Sequence, residues 1–346
     1  MSAAAPLLQV QDLTLALPGF APVQGLDFSL EAGQTLALVG ESGSGKSLTA
    51  LALMRLLPPA VRLAGGRVWL QGRELLSLPE REMRALRGRE LAMVFQEPMS
   101  CLNPVLSIGR QIAEVLRRHE GLSARAARAR VIELLALVRI PDPARRVDDF
   151  PHQLSGGMRQ RVMIAMAIAC GPRLLIADEP TTALDVTIQA QVLDLLDRLR
   201  RELNMGLLLI THDLGLVAQW ADRVVVMYAG RACEQAEAEA LFAAPAHPYT
   251  RALLAASPRL AGADLHYRQG PLAEIPGSIA SAPDQPGCAF APRCDQARPS
   301  CRQAPAPRLQ QQAGADGRLL ACPPALHFPL TRITPNERHA LAAAGA

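Results

Sequence analysis

Short uninterrupted apolar runs recur along the first two thirds of the chain. Segments 35–39, 91–95, 174–177 and 207–210 are apolar at nearly every position, without polar alternation. Such runs are typical of strands buried on both faces of a parallel sheet. A further strand is predicted at 67–70. Because glycine, acidic, amide or histidine residues follow the four runs, we expect the carboxyl ends of these strands to face a ligand.

Helical patterns lie between the predicted strands. Leu, Ile and Val recur at helical spacing from 107 to 139, and 79–86 predicts a short charged helix. Arginines alternate with alanine between 117 and 130, which is typical of a solvent-facing helix surface. Together, strands and helices predict an α/β fold.

The texture of the chain changes after about residue 257. Proline becomes dense, helical periodicity fades, and four of the seven cysteines fall within 35 residues. We therefore place a domain boundary near residue 258 and predict a small appended domain, with a loose end at 331–346.

Composition narrows the class of protein. Hydrophobic residues make up 49% of the chain, a fraction that is typical of a globular protein. No segment reaches the roughly 18 consecutive apolar residues of a membrane span. No basic residue precedes Lys46, so we expect no secretory signal, a cytoplasmic location and no disulfides. The net charge is +4 and the arginines are spread out, which is poor evidence for nucleic-acid binding.

Lys46 is the only lysine of the chain, against 35 arginines, and it lies in a glycine-rich loop. A lysine kept only here indicates chemistry that needs a compact ammonium rather than a forked guanidinium. Glycines allow the loop to turn its N–H groups into an anion nest, and the following helix adds its positive end. The predicted phosphate-binding residues are Gly40, Glu41, Ser42, Gly43, Ser44, Gly45, Lys46, Ser47 and Leu48. Ser47 is the expected Mg²⁺ ligand, and the alternative is a chance match to the pattern.

Two adjacent carboxylates, Asp178 and Glu179, end the apolar run 174–177. Asp178 is predicted to hold the Mg²⁺ shell, and Glu179 to polarise the water that attacks a γ-phosphate. Taken alone the pair would more often cap a helix, but the phosphate loop favours the catalytic interpretation.

Two further polar residues end predicted strands. His212 is expected to sense or position the γ-phosphate, and Gln96 to touch the metal or the attacking water. The alternatives are a structural histidine and a surface turn residue.

A second candidate anion site precedes a long apolar helix. Ser155 is a predicted N-cap, and Gly156, Gly157 and Met158 leave the N–H groups of the helix start uncovered. One nucleotide cannot easily use two helix starts of one chain. The pattern therefore suggests a second subunit, with each chain contributing one cradle to a shared phosphate.

The ordered motifs resemble the ATP-binding subunit of an ABC transporter. They are GESGSGKS at 40–47, Gln96, LSGGM at 154–158, LLIADEP at 174–180, TALD at 182–185 and His212. The resemblance covers about residues 6–257. It implies ATP hydrolysis by a P-loop NTPase with a mostly parallel core sheet, an antiparallel β subdomain and a helical subdomain at about 97–170. It also implies Glu179 as the catalytic base, Asp185 as the D-loop residue, and two subunits closing head to tail over two ATP molecules.

The contact to the adenine base departs from this family pattern. Many relatives stack the base on an aromatic residue before the second strand, but an ungapped count from Lys46 falls near Leu17. Phe20 is the nearest aromatic candidate.

The cysteines at positions 288, 294, 301 and 322 are spaced unlike the CxxC pairs usual for zinc. Four clustered thiols suit either zinc or an iron–sulfur cluster, and the spacing alone leaves both open. Cys101, Cys170 and Cys233 are scattered and are predicted to be small core residues.

Segments of the tail narrow the resemblance within the ABC transporters. HPYTRALL at 247–254, IPG at 275–277 and GCAFAPRC at 287–294 resemble the C-terminal extension of the oligopeptide/dipeptide importer ATPases, and 185–191 and 210–213 resemble the dipeptide importers most. In that family the four cysteines, Cys288, Cys294, Cys301 and Cys322, carry a [4Fe–4S] cluster.

The resemblance also implies partners. These are a second, paralogous ATPase, two transmembrane permease subunits and a peptide-binding protein outside the membrane, with this chain on the cytoplasmic face. One alternative is an ABC transporter ATPase whose transporter carries nickel, glutathione or antimicrobial peptides. Another is a soluble ABC-type ATPase that acts on nucleic acid or ribosomes. Long coiled coils or tandem engines, usual for the last class, are absent from the sequence.

Overall fold

The computed structural model describes residues 5–97, 101–182, 184–257, 274–282, 285–312 and 317–326. The predicted boundary near residue 258, Ala183 of the TALD segment and the predicted loose end at 331–346 lie outside these ranges. The strands of the described residues are β1 (Leu8–Leu17), β2 (Phe20–Leu30), β3 (Thr35–Val39), β4 (Arg62–Leu70), β5 (Arg73–Glu74), β6 (Leu91–Val94), β7 (Leu174–Asp178), β8 (Gly206–Thr211), β9 (Arg223–Tyr228), β10 (Arg231–Glu237), β11 (Gln310–Gln311) and β12 (Leu319–Leu320).

These strands form two sheets. The larger has the order β11-β12-β10-β9-β3-β8-β7-β6, and β9, β3, β8, β7 and β6 are parallel to one another. All four apolar runs become neighbours in it: β3 is paired with β8, β8 with β7, and β7 with β6. The smaller sheet, β2-β1-β4-β5, is antiparallel. The mostly parallel core sheet and the antiparallel subdomain are therefore confirmed.

Helices cover the parallel sheet and build a separate helical layer. They are α1 (Lys46–Leu53), α2 (Glu80–Leu86), α3 (Ile108–Glu120), α4 (Ala124–Leu137), α5 (Pro143–Arg146), α6 (Gly156–Ala167), α7 (Val186–Leu203), α8 (Leu214–Trp220), α9 (Ala238–Ala243), α10 (Pro248–Ala255) and α11 (Pro323–Leu326). The predicted helix pattern at 107–139 is two helices, because Gly121 ends α3 in a left-handed conformation and Ser123 caps α4.

The arginine-rich stretch lies on the outer surface of α3 and α4. Arg117, Arg118, Arg125 and Arg130 are exposed, while Ala127 faces the core. The stretch is therefore a solvated helix surface, as its alternation with alanine predicts.

The predicted C-terminal extension adds strands to the core sheet rather than packing as an isolated unit. β12 pairs antiparallel with β10, and β11 pairs with β12. A buried ion pair lies at this junction, where Arg318 Nη1 donates to Glu234 Oε1 at 2.7 Å and the side chains are 3% and 0% exposed. The extension therefore shares one sheet with the core strands. No helix among the described residues has the length and apolar content needed to span a bilayer.

Candidate functional site

The glycine-rich loop runs from β3 into α1 and requires glycine at particular positions. Gly40 has φ +152°, and a Cβ there would lie 2.1 Å from the carbonyl oxygen of Met227 on β9. Gly45 has φ +98°, and a Cβ there would lie 2.6 Å from the carbonyl oxygen of Pro22. Both positions are closed to any larger residue, because the loop passes directly against neighbouring backbone. The loop therefore packs tightly at the carboxyl end of β3, at the start of α1.

Lys46 lies inside this loop with its ammonium surrounded by oxygens. Nζ donates to the carbonyls of Gly40 at 2.8 Å and Glu41 at 2.9 Å, and to Ser44 Oγ at 3.2 Å. Its side chain is buried, and burial lowers the pKa of Lys46 although Glu179, Asp178 and Glu41 oppose that shift. The arrangement places one fixed positive charge at a helix start, where a polyphosphate would bind. Ser42 and Gly43 are exposed at the mouth of the loop, and Leu48 packs on the core from the first turn of α1.

Asp178 and Ser47 form the pair that suits a divalent cation. Ser47 Oγ donates to Asp178 Oδ1 at 3.1 Å, which joins the start of α1 to the end of β7. Burial raises the pKa of Asp178, and the neighbouring Glu179 acts in the same direction. A desolvated carboxylate beside a hydroxyl is a hard oxygen site, and these two residues fit a Mg²⁺ ion.

Glu179 is the centre of a hydrogen-bonded group of polar side chains. Gln96 Nε2 donates to Glu179 Oε2 at 3.0 Å, Thr182 Oγ1 donates to the same oxygen at 2.9 Å, and His212 Nδ1 lies 3.1 Å from Oε1. The backbone of Glu179 has φ 45°, a strained value for a non-glycine residue. The end of β7 therefore holds this carboxylate in one orientation, with both oxygens engaged.

Charge balance keeps Glu179 available as a base. Burial alone would raise its pKa, but the hydrogen bonds from His212 and Thr182 outweigh burial and lower the pKa. Its side chain is 16% exposed whereas that of His212 is 64% exposed, so water reaches the group from the His212 side. An ionised, partly buried carboxylate next to solvent can accept a proton from, or orient, a water molecule.

The predicted signature segment lies at the start of α6. Ser155 Oγ accepts from the Met158 N–H at 3.4 Å, which makes it the predicted N-cap, and Ser155 and Gly156 are exposed. A Cβ on Gly157 would lie 2.9 Å from Ile188 Cγ2 on α7, whose N-cap is Asp185. The start of α6 therefore packs against the first turn of α7, which Asp185 caps, while Ser155 and Gly156 remain exposed.

Phe20 opens β2 and is 46% exposed. It lines a cavity of about 250 Å³ together with Gly43 of the phosphate loop and Ile279 and Gln285 of the extension. Leu17, the position given by the count from Lys46, instead packs on the core. This cavity therefore lies beside the phosphate loop, with the Phe20 ring in its wall.

The four tail cysteines line one cavity of about 450 Å³. Burial raises the pKa of Cys288 and Cys322, and raises that of Cys294 to about 11. Across the described part of the chain, no three His, Cys, Asp or Glu side chains are placed to hold a metal ion. The [4Fe–4S] cluster predicted from the resemblance therefore has no support from the placement of these side chains. The other three cysteines pack with hydrophobic clusters, Cys101 and Cys170 partly buried and Cys233 fully.

Three contacts of the site were missed from the sequence. The contact of Thr182 with Glu179 could have been found from the sequence, because the two residues are three positions apart, which is the spacing of a capping pair. Tyr249 and Arg293 both contact Glu41 from more than 200 residues away, and no local pattern reveals such contacts.

Comparison with known proteins agrees with this geometry. Residues 23–182 match the family model described as ABC transporter, and residues 233–301 match the model described as oligopeptide/dipeptide transporter, C-terminal region. A Brucella abortus protein named as a peptide import ATP-binding protein is 52% identical over 327 residues, covering 93% of this chain and 96% of that protein. The oligopeptide transport ATP-binding protein OppD of Salmonella typhimurium is 49% identical, covering 91% and 93%.

Solved structures show the same fold. A dimeric ATP-binding cassette in a post-hydrolysis state, bound to ADP and Pi, has a TM-score of 0.60 and 25% identity, covering 67% of this chain and 98% of that one. A Clostridium perfringens protein described as part of an ABC transporter complex has a TM-score of 0.60 and 26% identity, covering 69% and 91%.

Proposed function

This chain belongs to the ABC transporter family, and on that premise we propose that it is the ATP-hydrolysing subunit of a peptide importer. The observation that carries the proposal is the position of Glu179, held by Gln96, Thr182 and His212 at the strand end next to Ser47 and Asp178. A match to the oligopeptide/dipeptide transporter region and relatives named for peptide, oligopeptide and dipeptide transport support the cargo class.

Each residue of the site has a distinct part in hydrolysis. The loop at 40–48 binds the phosphates through backbone N–H groups and the Lys46 ammonium. Ser47 and Asp178 would hold Mg²⁺, which supplies charge neutralisation on the phosphates when bound. Glu179 orients the attacking water and accepts its proton. His212 and Gln96 keep the two oxygens of Glu179 fixed, so this base needs no rearrangement during the reaction.

The second half of each ATP site comes from another subunit. Ser155, Gly156, Gly157 and Met158 form an outward-facing helix start, and their support is exposure together with the cap at Ser155. We assign this segment to the γ-phosphate of ATP bound on a partner ATPase, with Asp185 at the same interface. Phe20 is assigned to the adenine base, supported by the cavity that it shares with Gly43.

We propose the finer features of the assembly from the family resemblance. The partner ATPase is a paralogue, two permease subunits carry the peptide across the membrane, and a peptide-binding protein delivers it. The chain then lies on the cytoplasmic face of the plasma membrane as a peripheral subunit.

We also propose a [4Fe–4S] cluster on Cys288, Cys294, Cys301 and Cys322. The support is the resemblance of the tail to the importer extension and the chemistry of the donors, since thiols favour iron–sulfur over a hard cation. All four line one cavity, although among the described residues no three are placed to hold a metal ion. Burial keeps at least three of these thiols protonated in the free protein, so binding would release protons. Anaerobically purified protein should contain about four irons per chain, and colourless protein with stoichiometric zinc would refute this assignment.

Peptide uptake by whole cells tests the function. Cells that produce the wild-type chain should accumulate a labelled dipeptide or oligopeptide, and cells that produce Glu179→Gln should not, although the complex still assembles. If the Glu179→Gln strain instead lost the uptake of nickel or glutathione and kept that of peptide, the proposed cargo would be wrong. Peptide uptake that is equal in both strains would contradict the proposal.

A further inference from the structure

One arginine of the C-terminal extension contacts the phosphate loop. Arg293 Nη1 donates to Glu41 Oε2 at 2.7 Å and Nη2 donates to Glu41 Oε1 at 3.0 Å. The two side chains are 4% and 29% exposed. This two-pronged arrangement is the strongest geometry available to an arginine and a carboxylate, and its guanidinium is shielded from solvent while the carboxylate is partly exposed.

The Arg293 guanidinium is held from several other directions. Nε donates to the Pro276 carbonyl at 2.6 Å and Nη2 to the Ile275 carbonyl at 3.1 Å. Nη1 also donates to the Tyr228 hydroxyl at 3.3 Å, and the charge lies 5.7 Å from the Tyr228 ring. A guanidinium fixed at this many points has little freedom to follow Glu41, so Glu41 is held in place by Arg293.

Glu41 is fixed by its backbone as well. Its N–H donates to the Tyr249 hydroxyl at 2.9 Å, and its carbonyl accepts from Lys46 Nζ at 2.9 Å. Glu41 therefore links Arg293 to the Lys46 ammonium, because its carboxylate accepts from the first and its carbonyl from the second. A displacement of Glu41 would move a carbonyl that orients Lys46.

The charge of Glu41 gives Arg293 a second role. A carboxylate in the phosphate loop repels an incoming triphosphate. This repulsion disfavours nucleotide binding more strongly where little solvent screens the charges. Arg293 neutralises that carboxylate within hydrogen-bond distance. Without Arg293, the loop would present an unpaired negative charge to an incoming anion.

We propose that Arg293 is a positioning residue for nucleotide binding, which holds and neutralises Glu41 so that the phosphate loop accepts ATP. The proposal rests on the ATP-binding role of the loop proposed above. Arg293 ends the 3₁₀ turn Ala291–Arg293, between Cys288 and Cys294 of the cysteine cavity. The extension thereby contributes directly to the nucleotide site of the same chain.

Equilibrium binding of a non-hydrolysable ATP analogue to the full chain tests this role. Arg293→Gln should raise the Kd about tenfold, as expected for an unpaired like charge beside an anion site. Adding Glu41→Gln to that variant removes the repelling charge, so the double variant should return to within about threefold of the wild-type Kd. Arg293→Lys keeps the positive charge but loses the two-pronged hydrogen bond to Glu41. Its Kd should therefore lie between those of the wild type and Arg293→Gln.

Arg318→Gln is the matched control. It removes another buried, ion-paired arginine of the extension, whose partner Glu234 belongs to β10 rather than to the phosphate loop. Its melting temperature should fall at least as far as that of Arg293→Gln, with a Kd within about twofold of wild type. Equal Kd changes in both variants, or no recovery with Glu41→Gln, would reduce Arg293 to a structural residue. Wild-type protein that binds no nucleotide would instead overturn the proposed function.

Discussion

Lys46 illustrates how much the type of a single residue and its sequence neighbours reveal about a site. Arginine takes the place of lysine everywhere else in the chain, so a lysine inside GESGSGKS marks the phosphate loop, and the structure places its ammonium among loop oxygens. Asp178, Glu179, Gln96 and His212 are likewise predictable from strand ends, because parallel strands bring such residues to one edge. Arg293 and Tyr249 are not, since a long-range contact leaves no periodic trace in a sequence.

Replacing Lys46 with alanine removes the one ammonium of the loop. We expect the affinity for ATP to fall at least about a hundredfold, because the loop would lose its fixed positive charge while its carbonyls remain. Lys46→Arg should also bind weakly, since a planar guanidinium cannot occupy the enclosed position between Gly40, Glu41 and Ser44. Fluorescence titration with a labelled nucleotide checks both variants. Unchanged ATP affinity in Lys46→Ala would falsify the loop assignment.

His247 couples the stability of the protein to pH. Its ring is buried, its Nδ1 accepts the Tyr249 N–H at the start of α10, and Arg251 is nearby, while Glu234 receives the His247 backbone N–H. Burial first, then Arg251, lowers the pKa of His247 from 6.5 to about 3. The folded protein therefore binds fewer protons than the unfolded chain below pH 6.5. The contribution of His247 to the free energy of unfolding is fully present above pH 6.5 and is lost as the pH falls towards 3.

The loss should reach about 2 kcal/mol at pH 5, from about 1.4 kcal/mol for each pH unit below 6.5. His247→Asn keeps a helix cap but cannot titrate, so its stability should change less between pH 7 and pH 5. Thermal unfolding of both proteins at the two pH values measures this. Parallel curves for the two proteins would show that another group titrates.

At the scale of elements, apolar runs locate the central strands because neither face of a parallel sheet needs polar positions. The prediction at 67–70 recovers only the second half of β4, since residues 62–66 contain two glycines and an exposed arginine and leucine. β11 and β12 are missed altogether, because two-residue strands have no period to detect. A buried ion pair between Arg318 and Glu234 joins them to the core sheet, and no local pattern reveals this long-range contact.

The phosphate loop gives an element-level prediction. Gly40→Ala would place a Cβ 2.1 Å from the Met227 carbonyl, so the loop must move away from β9. We expect at least about tenfold weaker ATP binding. Gly72→Ala is the control, because Gly72 also has a positive φ, +77°, but has no atom within 4 Å of such a Cβ. Isothermal titration with ATP compares the two. Gly72→Ala should bind ATP like the wild type, and a Gly40→Ala affinity equal to that of Gly72→Ala would contradict the prediction.

At the scale of the molecule, three structural regions contribute to the proposed nucleotide site. The core sheet supplies the phosphate loop and Glu179, β2 of the antiparallel sheet supplies Phe20, and the extension supplies Arg293. The helical layer leaves Ser155 exposed, as its proposed role at a partner's ATP requires. The family resemblance predicts the core site and the outward-facing half-site. It does not predict the participation of the extension, because the change in composition near residue 257 suggests an appended unit instead.

The most direct test is phosphate release by the purified transporter complex in proteoliposomes, with a peptide-loaded binding protein. The wild-type complex should hydrolyse ATP and take up peptide. A complex with Glu179→Gln should bind ATP with normal affinity while phosphate release falls at least about a hundredfold and uptake stops. A Glu179→Gln complex that retains most of its hydrolysis, or a wild-type complex that releases no phosphate, would contradict the account.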